Sequence, residues 1–192
     1  MLELDAWLEI AKSAALKGGK YLLENQGQEL KILLNEGRDI KLQLDTDTEK
    51  LIKDSLGSQS EFSILGEETG LSNDLGEFYW VVDPLDGTSN FSRDIPISCV
   101  SIALMQNLKP ILGVIYDFNH DDLYCGHLES KAFLNQIEIA VSNYSEKSQS
   151  TLVTGIPAKT HYSDNEFQNM ISDFQQWKKV RMIGSAAMAS IY

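Results

Sequence analysis

Between Trp80 and Phe91 the chain reads W-V-V-D-P-L-D-G-T-S-N-F, and L-G-E-E-T-G precedes it at Leu65 to Gly70. The apolar run Phe78 to Val82 has the character of a buried strand that ends at Asp83, and Ser63-Ile64-Leu65 is a shorter one ending at Gly66. Strands of this kind release their acidic residues at carboxyl ends, where open sheets meet loops and ligands commonly sit. Asp83 and Asp86 flank Pro84 and Leu85, and a proline behind a strand fixes a turn that aims both carboxylates to one side. Two like charges held together need a cation. Glu67, from the neighbouring strand end, supplies a third oxygen, and the Leu85 carbonyl, exposed by the turn, a fourth. An all-oxygen, carboxylate-rich set without histidine or thiolate suits Mg²⁺, with Mn²⁺ as the alternative, and not zinc.

Gly87-Thr88-Ser89 follows directly. A glycine permits close backbone approach, and successive N–H groups with two hydroxyls at a helix start form a cradle for phosphate. Metal ligands beside such a cradle point to phosphoryl chemistry. The chain has no G-x-x-x-x-G-K-[ST] and no Gly-rich kinase loop, so hydrolysis by water is favoured over transfer from a nucleoside triphosphate. Phosphate-monoester hydrolysis demands acceleration of up to ~10²¹, whereas one general base gives roughly 10² to 10⁴. A pair of metals about 4 Å apart stabilises the attacking and leaving oxygens together and activates water, with Asp45 or Thr88 orienting that water.

The rest of the chain reads as mixed α and β. Leu4, Trp7, Leu8, Ala11, Ala15, Gly18 and Leu22 recur at helical spacing and predict a core helix whose small residues admit a partner helix. Asn35-Glu36-Gly37-Arg38 is a polar turn, and the alternation of Ile40, Leu42 and Leu44 predicts a strand over Asp39 to Asp45. Thr46-Asp47-Thr48-Glu49 has the spacing of a capping box that launches a helix through Leu51, Ile52 and Leu56. Asp45 then lies at a strand-to-helix junction, and on local sequence alone it is a carboxylate favoured by the helix dipole. Val100 to Met105 and Ile111 to Tyr116 flank Asn107-Leu-Lys-Pro110 as an antiparallel hairpin. Leu123 to Cys125, Ala132 to Leu134 and Ile137 to Val141 are further short strands. Leu152 to Thr154 precedes a second capping box, Ser163-x-x-Glu166, which opens a helix bearing Phe167, Met170, Ile171, Phe174 and Trp177. Asn119-His120-Asp121-Asp122 reads as a surface turn and not a metal site.

Composition narrows the function class. The chain has 192 residues, 43% of them hydrophobic, a formal charge of −12 and a pI near 4.6. That length is about one domain, and that charge repels nucleic acid and acidic membrane surfaces. Cys99 and Cys125 lack C-x-x-C spacing and sit in strand-like surroundings, which fits a reducing cytoplasm. Neither a signal-peptide pattern nor an apolar span is found, so a cytoplasmic protein with no membrane partner is expected.

G-E-E-T, then W-V-V-D-P-L-D-G-T-S-N-F, then G-S-A-A at Gly184 to Ala187 resembles the ordered signature of the inositol monophosphatase-like phosphatases, which are Mg²⁺-dependent and often lithium-sensitive. The resemblance implies a layered αβαβα sugar-phosphatase fold, of α+β class, and a homodimer acting on a small phosphorylated alcohol or sugar. It assigns Glu67, Asp83, the Leu85 carbonyl and Asp86 as metal ligands, and Asp45 and Thr88 as the pair that positions water. Gly87, Thr88 and Ser89 take phosphate, and Gly184, Ser185 and Ala186 lie against the alcohol. Inositol monophosphate is the expected substrate; 3′(2′),5′-bisphosphate nucleotidases, histidinol-phosphate phosphatases and fructose-1,6-bisphosphatases share these motifs. The family's later W-D-x-A-A-G block, whose aspartate binds the second metal, has no counterpart. One C-terminally truncated domain is therefore expected over residues 1–192, with a metal-binding α+β part at 1–145 and the start of a C-terminal α/β part at 146–192. On that expectation the chain is either a fragment of a longer phosphatase or natively short, with catalysis weakened or lost and only metal and phosphate binding retained.

Overall fold

The apolar stripe that begins at Leu4 folds as helix α1, Leu4–Asn25, and buries Leu8, Ala11, Ala15, Gly18 and Leu22 on one side. Its partner is α2, Gln43–Gly57, which buries Ile52 and Leu56. The small residues work as expected: a Cβ added at Gly18 would meet Ile52 Cδ1 at 2.8 Å, so the two helices touch backbone to side chain. The structure is a computed structural model and describes residues 3–27, 32–36, 39–156 and 161–192.

The junction before α2 differs from the expected one. Strands β1, Ile32–Glu36, and β2, Asp39–Leu42, pair antiparallel, and the strand stops at Leu42, not at Asp45. Helix α2 begins at Gln43, so Thr46 to Glu49 is not its capping box. Asp45 takes the capping role instead, its Oδ2 accepting the Leu42 N–H at 2.8 Å, and Thr48 and Glu49 fall inside the helix and are buried. An acidic residue that reaches back to the first helical turn outcompetes a capping box further along, because the earlier start satisfies more backbone. β1 escaped sequence reading: Asn35 and Glu36 of the expected turn are its last two residues, paired with Ile40 and Asp39, and Gly37 and Arg38 lie outside the described residues.

The main sheet has the order β10-β9-β8-β7-β6-β5-β3-β4. Its members are β3 (Ser63–Gly66), β4 (Gly70–Leu71), β5 (Phe78–Asp86), β6 (Cys99–Gln106), β7 (Lys109–Asp117), β8 (Asp122–His127), β9 (Ala132–Leu134) and β10 (Ile137–Ile139). β3 and β5 run parallel; the other neighbours are antiparallel. The β6–β7 hairpin turns on Asn107 and Leu108 alone, both at positive φ, 47° and 66°, the two-residue geometry that matches strand twist. β10 stops at Ile139, two residues before the expected end, and Val141 is 93% exposed.

Register places the core. Trp80 pairs with Leu104, Val82 with Ile102, and Ile102 with Val114, so these side chains share one face of the sheet, all buried in a single apolar cluster with α1 and α2. Trp80 keeps its indole N–H satisfied by donating to Ser60 Oγ at 2.9 Å. On the C-terminal side, β11 (Thr151–Thr154) pairs in parallel with β12 (Lys179–Met182), a strand with no clear sequence signal. Helix α4, Asp164–Phe174, starts with the expected capping box: the Ser163 N–H donates to Glu166 Oε2 at 2.8 Å and Ser163 Oγ accepts the Glu166 N–H at 3.4 Å. Its apolar stripe remains open, with Phe167 47% and Ile171 41% exposed. The last helix, α5 (Ala186–Ile191), touches β6 and β7 of the main sheet as well as β11. The order is thus helix layer, mixed sheet, helix, second sheet, an α+β architecture.

Candidate active site

Parallel pairing of β3 with β5 puts Gly66 opposite Val82, so both strands deliver their following residues to one place. The Glu67 N–H donates to the Val82 carbonyl at 3.1 Å, which extends the parallel ladder to the first acidic residue. β5 then runs through Asp83 to Asp86, further than the expected end at Val82, with a break in register: Asp83 opposes Ser101 and Asp86 opposes Cys99. Three steps on β5 therefore face two on β6. Side chains alternate along a regular strand, so residues three apart would point to opposite faces; the extra residue of this bulge brings the two aspartates back to the same side. Pro84 and Leu85 occupy the bulge, and the Leu85 N–H donates to Asp83 Oδ1 at 3.1 Å. The turn expected from the sequence is in fact a bulge that leaves the strand intact.

The electrostatics follow from this crowding. Burial, then the charges of Glu67 and Asp86, then a hydrogen bond with Glu67 push Asp83 up to about 9 from an ordinary 3.8. The burden of three carboxylates is what a hard divalent cation would relieve, and the donors are all oxygen, so the residue types fit one. Among the described residues, however, no three acidic, histidine or cysteine side chains are gathered around a common point. Asp86 is engaged elsewhere: its Oδ2 accepts Ser185 Oγ–H at 2.6 Å and the Ala187 N–H at 2.6 Å, and its Oδ1 accepts the Ala186 N–H at 3.2 Å. The Leu85 carbonyl accepts the Thr88 hydroxyl at 3.0 Å.

Gly87 carries the chain from the bulge into α3, Thr88–Phe91, at φ 92°, and a Cβ there would lie 2.7 Å from the Ile97 carbonyl. Only glycine satisfies both the dihedral and the space. The N–H groups of Thr88 and Ser89, in the first turn, have no backbone partner among the described residues, as an anion cradle requires. Asp45 is buried at the start of α2, and the β2 strand that leads into it packs against α3. Ser89 joins Gly184, Ser185 and Ala186 in lining a cavity of about 610 Å³ that also borders Thr154 and Gly155. The four expected groups thus come from β3, β5–α3, β2–α2 and α5.

Two residues of this region have roles that the sequence reading did not give them. Asn90 Nδ2 donates to the carbonyls of Ile97 at 2.8 Å and Ile183 at 2.7 Å, tying α3 to the segment before α5. It stood in the quoted motif with no role. Glu49 is fully buried and holds the loop behind Glu67, its carboxylate accepting the N–H of Glu68 at 2.7 Å and of Thr69 at 3.1 Å. Its signal was an acidic residue on the buried stripe of α2, three before Ile52 and seven before Leu56. His120 is half-exposed in the turn between β7 and β8 and pairs with buried Asp117 at 2.7 Å. Both cysteines are free. None of the described helices is long and apolar enough to cross a membrane.

Comparison with known proteins places this geometry. The model of the inositol monophosphatase family matches residues 3–192. The fructose-1,6-bisphosphatase/inositol-1-monophosphatase of Aquifex aeolicus is 33% identical over an alignment 192 positions long that covers 98% of this chain and 73% of that protein. Among solved structures, inositol monophosphatase from Anabaena (Nostoc) superposes with a TM-score of 0.84 at 34% identity, covering 98% of this chain and 70% of that one. The inositol monophosphate-bound structure of SaIMPase-II superposes with a TM-score of 0.76 at 26% identity, covering 95% and 67%. The family is generally metal-dependent and suggests a small phosphorylated substrate. The chain belongs to the inositol monophosphatase family, and with it to the phosphoric monoester hydrolases.

Proposed function

We propose that this chain hydrolyses a small phosphomonoester, inositol monophosphate first among candidates, to the alcohol and phosphate with Mg²⁺ as its cofactor. The observation that carries the reading is the bulge that turns Asp83 and Asp86 to one side, next to Glu67 from the parallel strand and ahead of the Gly87 cradle. Glu67, Asp83, the Leu85 carbonyl and Asp86 would hold the cations. When bound, a pair of such ions lowers the pKa of water and neutralises charge on attacking and leaving oxygens. Asp83, whose pKa is pushed up by burial and by the neighbouring Glu67 and Asp86, would ligate as the carboxylate. Thr88, fixed by its hydrogen bond to the Leu85 carbonyl, and Asp45, fixed by the Leu42 N–H, orient the attacking water. Gly87, Thr88 and Ser89 bind the phosphate through backbone N–H groups, and Gly184, Ser185 and Ala186 take the alcohol in the adjoining cavity. The relative solved with inositol monophosphate supports this choice of ligand. Lithium sensitivity, a homodimer and a cytoplasmic setting extend the same reading.

A second reading draws on the engagement of Asp86 by α5: a chain that binds cation and phosphate weakly and turns over little. Phosphate release from myo-inositol 1-phosphate, with and without Mg²⁺, separates the two, with adenosine 3′,5′-bisphosphate and histidinol phosphate alongside. Mg²⁺-dependent turnover that Asp86→Asn abolishes is the expected result. No turnover on any ester, in folded protein that still binds Mg²⁺, would leave the second reading standing, and full activity of Asp86→Asn would remove the proposed site.

A further inference from the structure

An ionised side chain with no exposure is expensive, and helix α2 carries one at Glu49, packed with Ile52 and Leu56 against the sheet. Its partners explain why it stays charged. Besides the Glu68 and Thr69 N–H groups, it accepts the Thr69 hydroxyl and lies 3.2 Å from Lys53 Nζ. Burial works to raise its pKa, yet the Thr69 hydroxyl, the Glu68 N–H and Lys53 outweigh burial and hold it below the ordinary carboxylate value. Lys53 reinforces the same loop by donating to the Gly70 carbonyl at 3.1 Å and to Thr69 Oγ1 at 2.5 Å.

The loop so gripped begins with Glu67. On its N-terminal side Glu67 is fixed by the sheet, through its N–H to the Val82 carbonyl; on its C-terminal side the next two amides both end on Glu49. The strand before it is pressed onto the same carboxylate, since a Cβ at Gly66 would come within 2.3 Å of the Glu49 carboxyl carbon. Gly66 and Glu49 are therefore one device, a backbone that passes a carboxylate so closely that a side chain there would push the carboxylate off its partners. We propose that Glu49 is a positioning residue, which sets the backbone of residues 67–69 and so presents the Glu67 carboxylate to a divalent cation. This rests on the reading of Glu67 as a cation ligand. Glu49 touches neither cation nor substrate; it acts by orienting a ligand that does, and outer-shell partners of this kind influence metal affinity strongly.

The test is calorimetric titration of the full 192-residue chain with Mg²⁺, without substrate, for the wild type, Glu49→Gln and Thr69→Val. Glu49→Gln keeps the shape and one acceptor but loses the charge and the second oxygen. It is expected to weaken Mg²⁺ binding about 10- to 100-fold. In the phosphatase assay the Mg²⁺ needed for half-activation rises, kcat returns at saturating Mg²⁺, and KM for the ester stays at the wild-type value. A purely structural role would lower the unfolding midpoint and leave the Mg²⁺ affinity of the folded protein unchanged, and that result overturns the proposal. If Glu49→Gln does not fold, Thr69→Val decides, because it removes one hydroxyl from an exposed loop residue: weaker Mg²⁺ binding supports the proposal and wild-type binding overturns it. A wild type that binds no Mg²⁺ overturns the cation reading of Glu67 first and this proposal with it, an outcome recognisable because all three proteins then titrate flat.

Discussion

Asp83 shows how a single residue couples the site to the stability of the fold. Between its ordinary 3.8 and about 9 the folded chain holds a proton there that the unfolded chain has released. The raised value therefore favours the fold fully below 3.8, and that favour is lost as pH rises through about 9, so metal-free stability falls across the window. Asp83→Asn cannot ionise. We expect it to flatten that fall and to raise the metal-free unfolding midpoint at about pH 8, while abolishing phosphate release. Thermal unfolding in a chelator at several pH values, beside a phosphate-release assay, checks both halves, and a variant as pH-sensitive as the wild type would show that Asp83 is not the group responsible. Glu49 has the opposite sign: its depressed value favours the fold above the ordinary 4.5 and is lost on acidification below it.

Elements were legible in the sequence where one periodicity ruled without competition. Helix α1 appeared as read because nothing in its stripe favours another start, and the Ser163 to Glu166 box opened α4 for the same reason. The β2–α2 junction was misread because alternation through Leu44 and a capping-box spacing at Thr46 both fit, whereas Asp45, accepting the Leu42 N–H, starts the helix earlier than either. Leu22 is buried where α1 packs, and Leu22→Ala is expected to cost about 2 to 5 kcal/mol, read from denaturant unfolding. The β6–β7 turn predicts a gain instead. Leu108 is 76% exposed at φ 66°, so Leu108→Gly loses no burial and is expected to stabilise the hairpin by up to about 1 kcal/mol. A lower unfolding midpoint in that variant would mean that the leucine packs on something in solution.

At the scale of the whole molecule, one face of the main sheet is covered by α1 and α2, and the other borders a groove of about 820 Å³ beside α5, lined by Ala103, Ile115, Ile139 and Tyr192. Glu67, Asp83 and Asp86 crowd part of the formal charge of −12 into one site, so cation binding should stabilise the whole chain and not only the loop. Mg²⁺ at about a hundred times its dissociation constant is expected to add about 2.7 kcal/mol, seen as a rise in unfolding midpoint that chelation reverses. An unchanged midpoint would exclude a cation site formed only in the folded state. The same charge predicts passage through heparin without retention near neutral pH, and retention would contradict the exclusion of polyanion partners.

By itself the sequence determined the chemistry. The order of E-E-T, D-P-L-D-G-T-S and G-S-A-A sets which oxygens, amides and hydroxyls are available, and the apolar periods set which segments are helix and strand. Tertiary structure alone decided how those groups meet. The parallel pairing of β3 and β5 put Glu67 beside Asp83, and a bulge, not a proline turn, brought Asp86 to the same side. Helix α5 arrived from a hundred residues away to grip Asp86, and Glu49 was drawn from a helix face onto the loop behind Glu67. The physical reason is common to all four. Local sequence fixes backbone preference over a few residues, whereas strand partner, register and the satisfaction of buried polar groups depend on segments far apart in the chain that are selected only when the core closes.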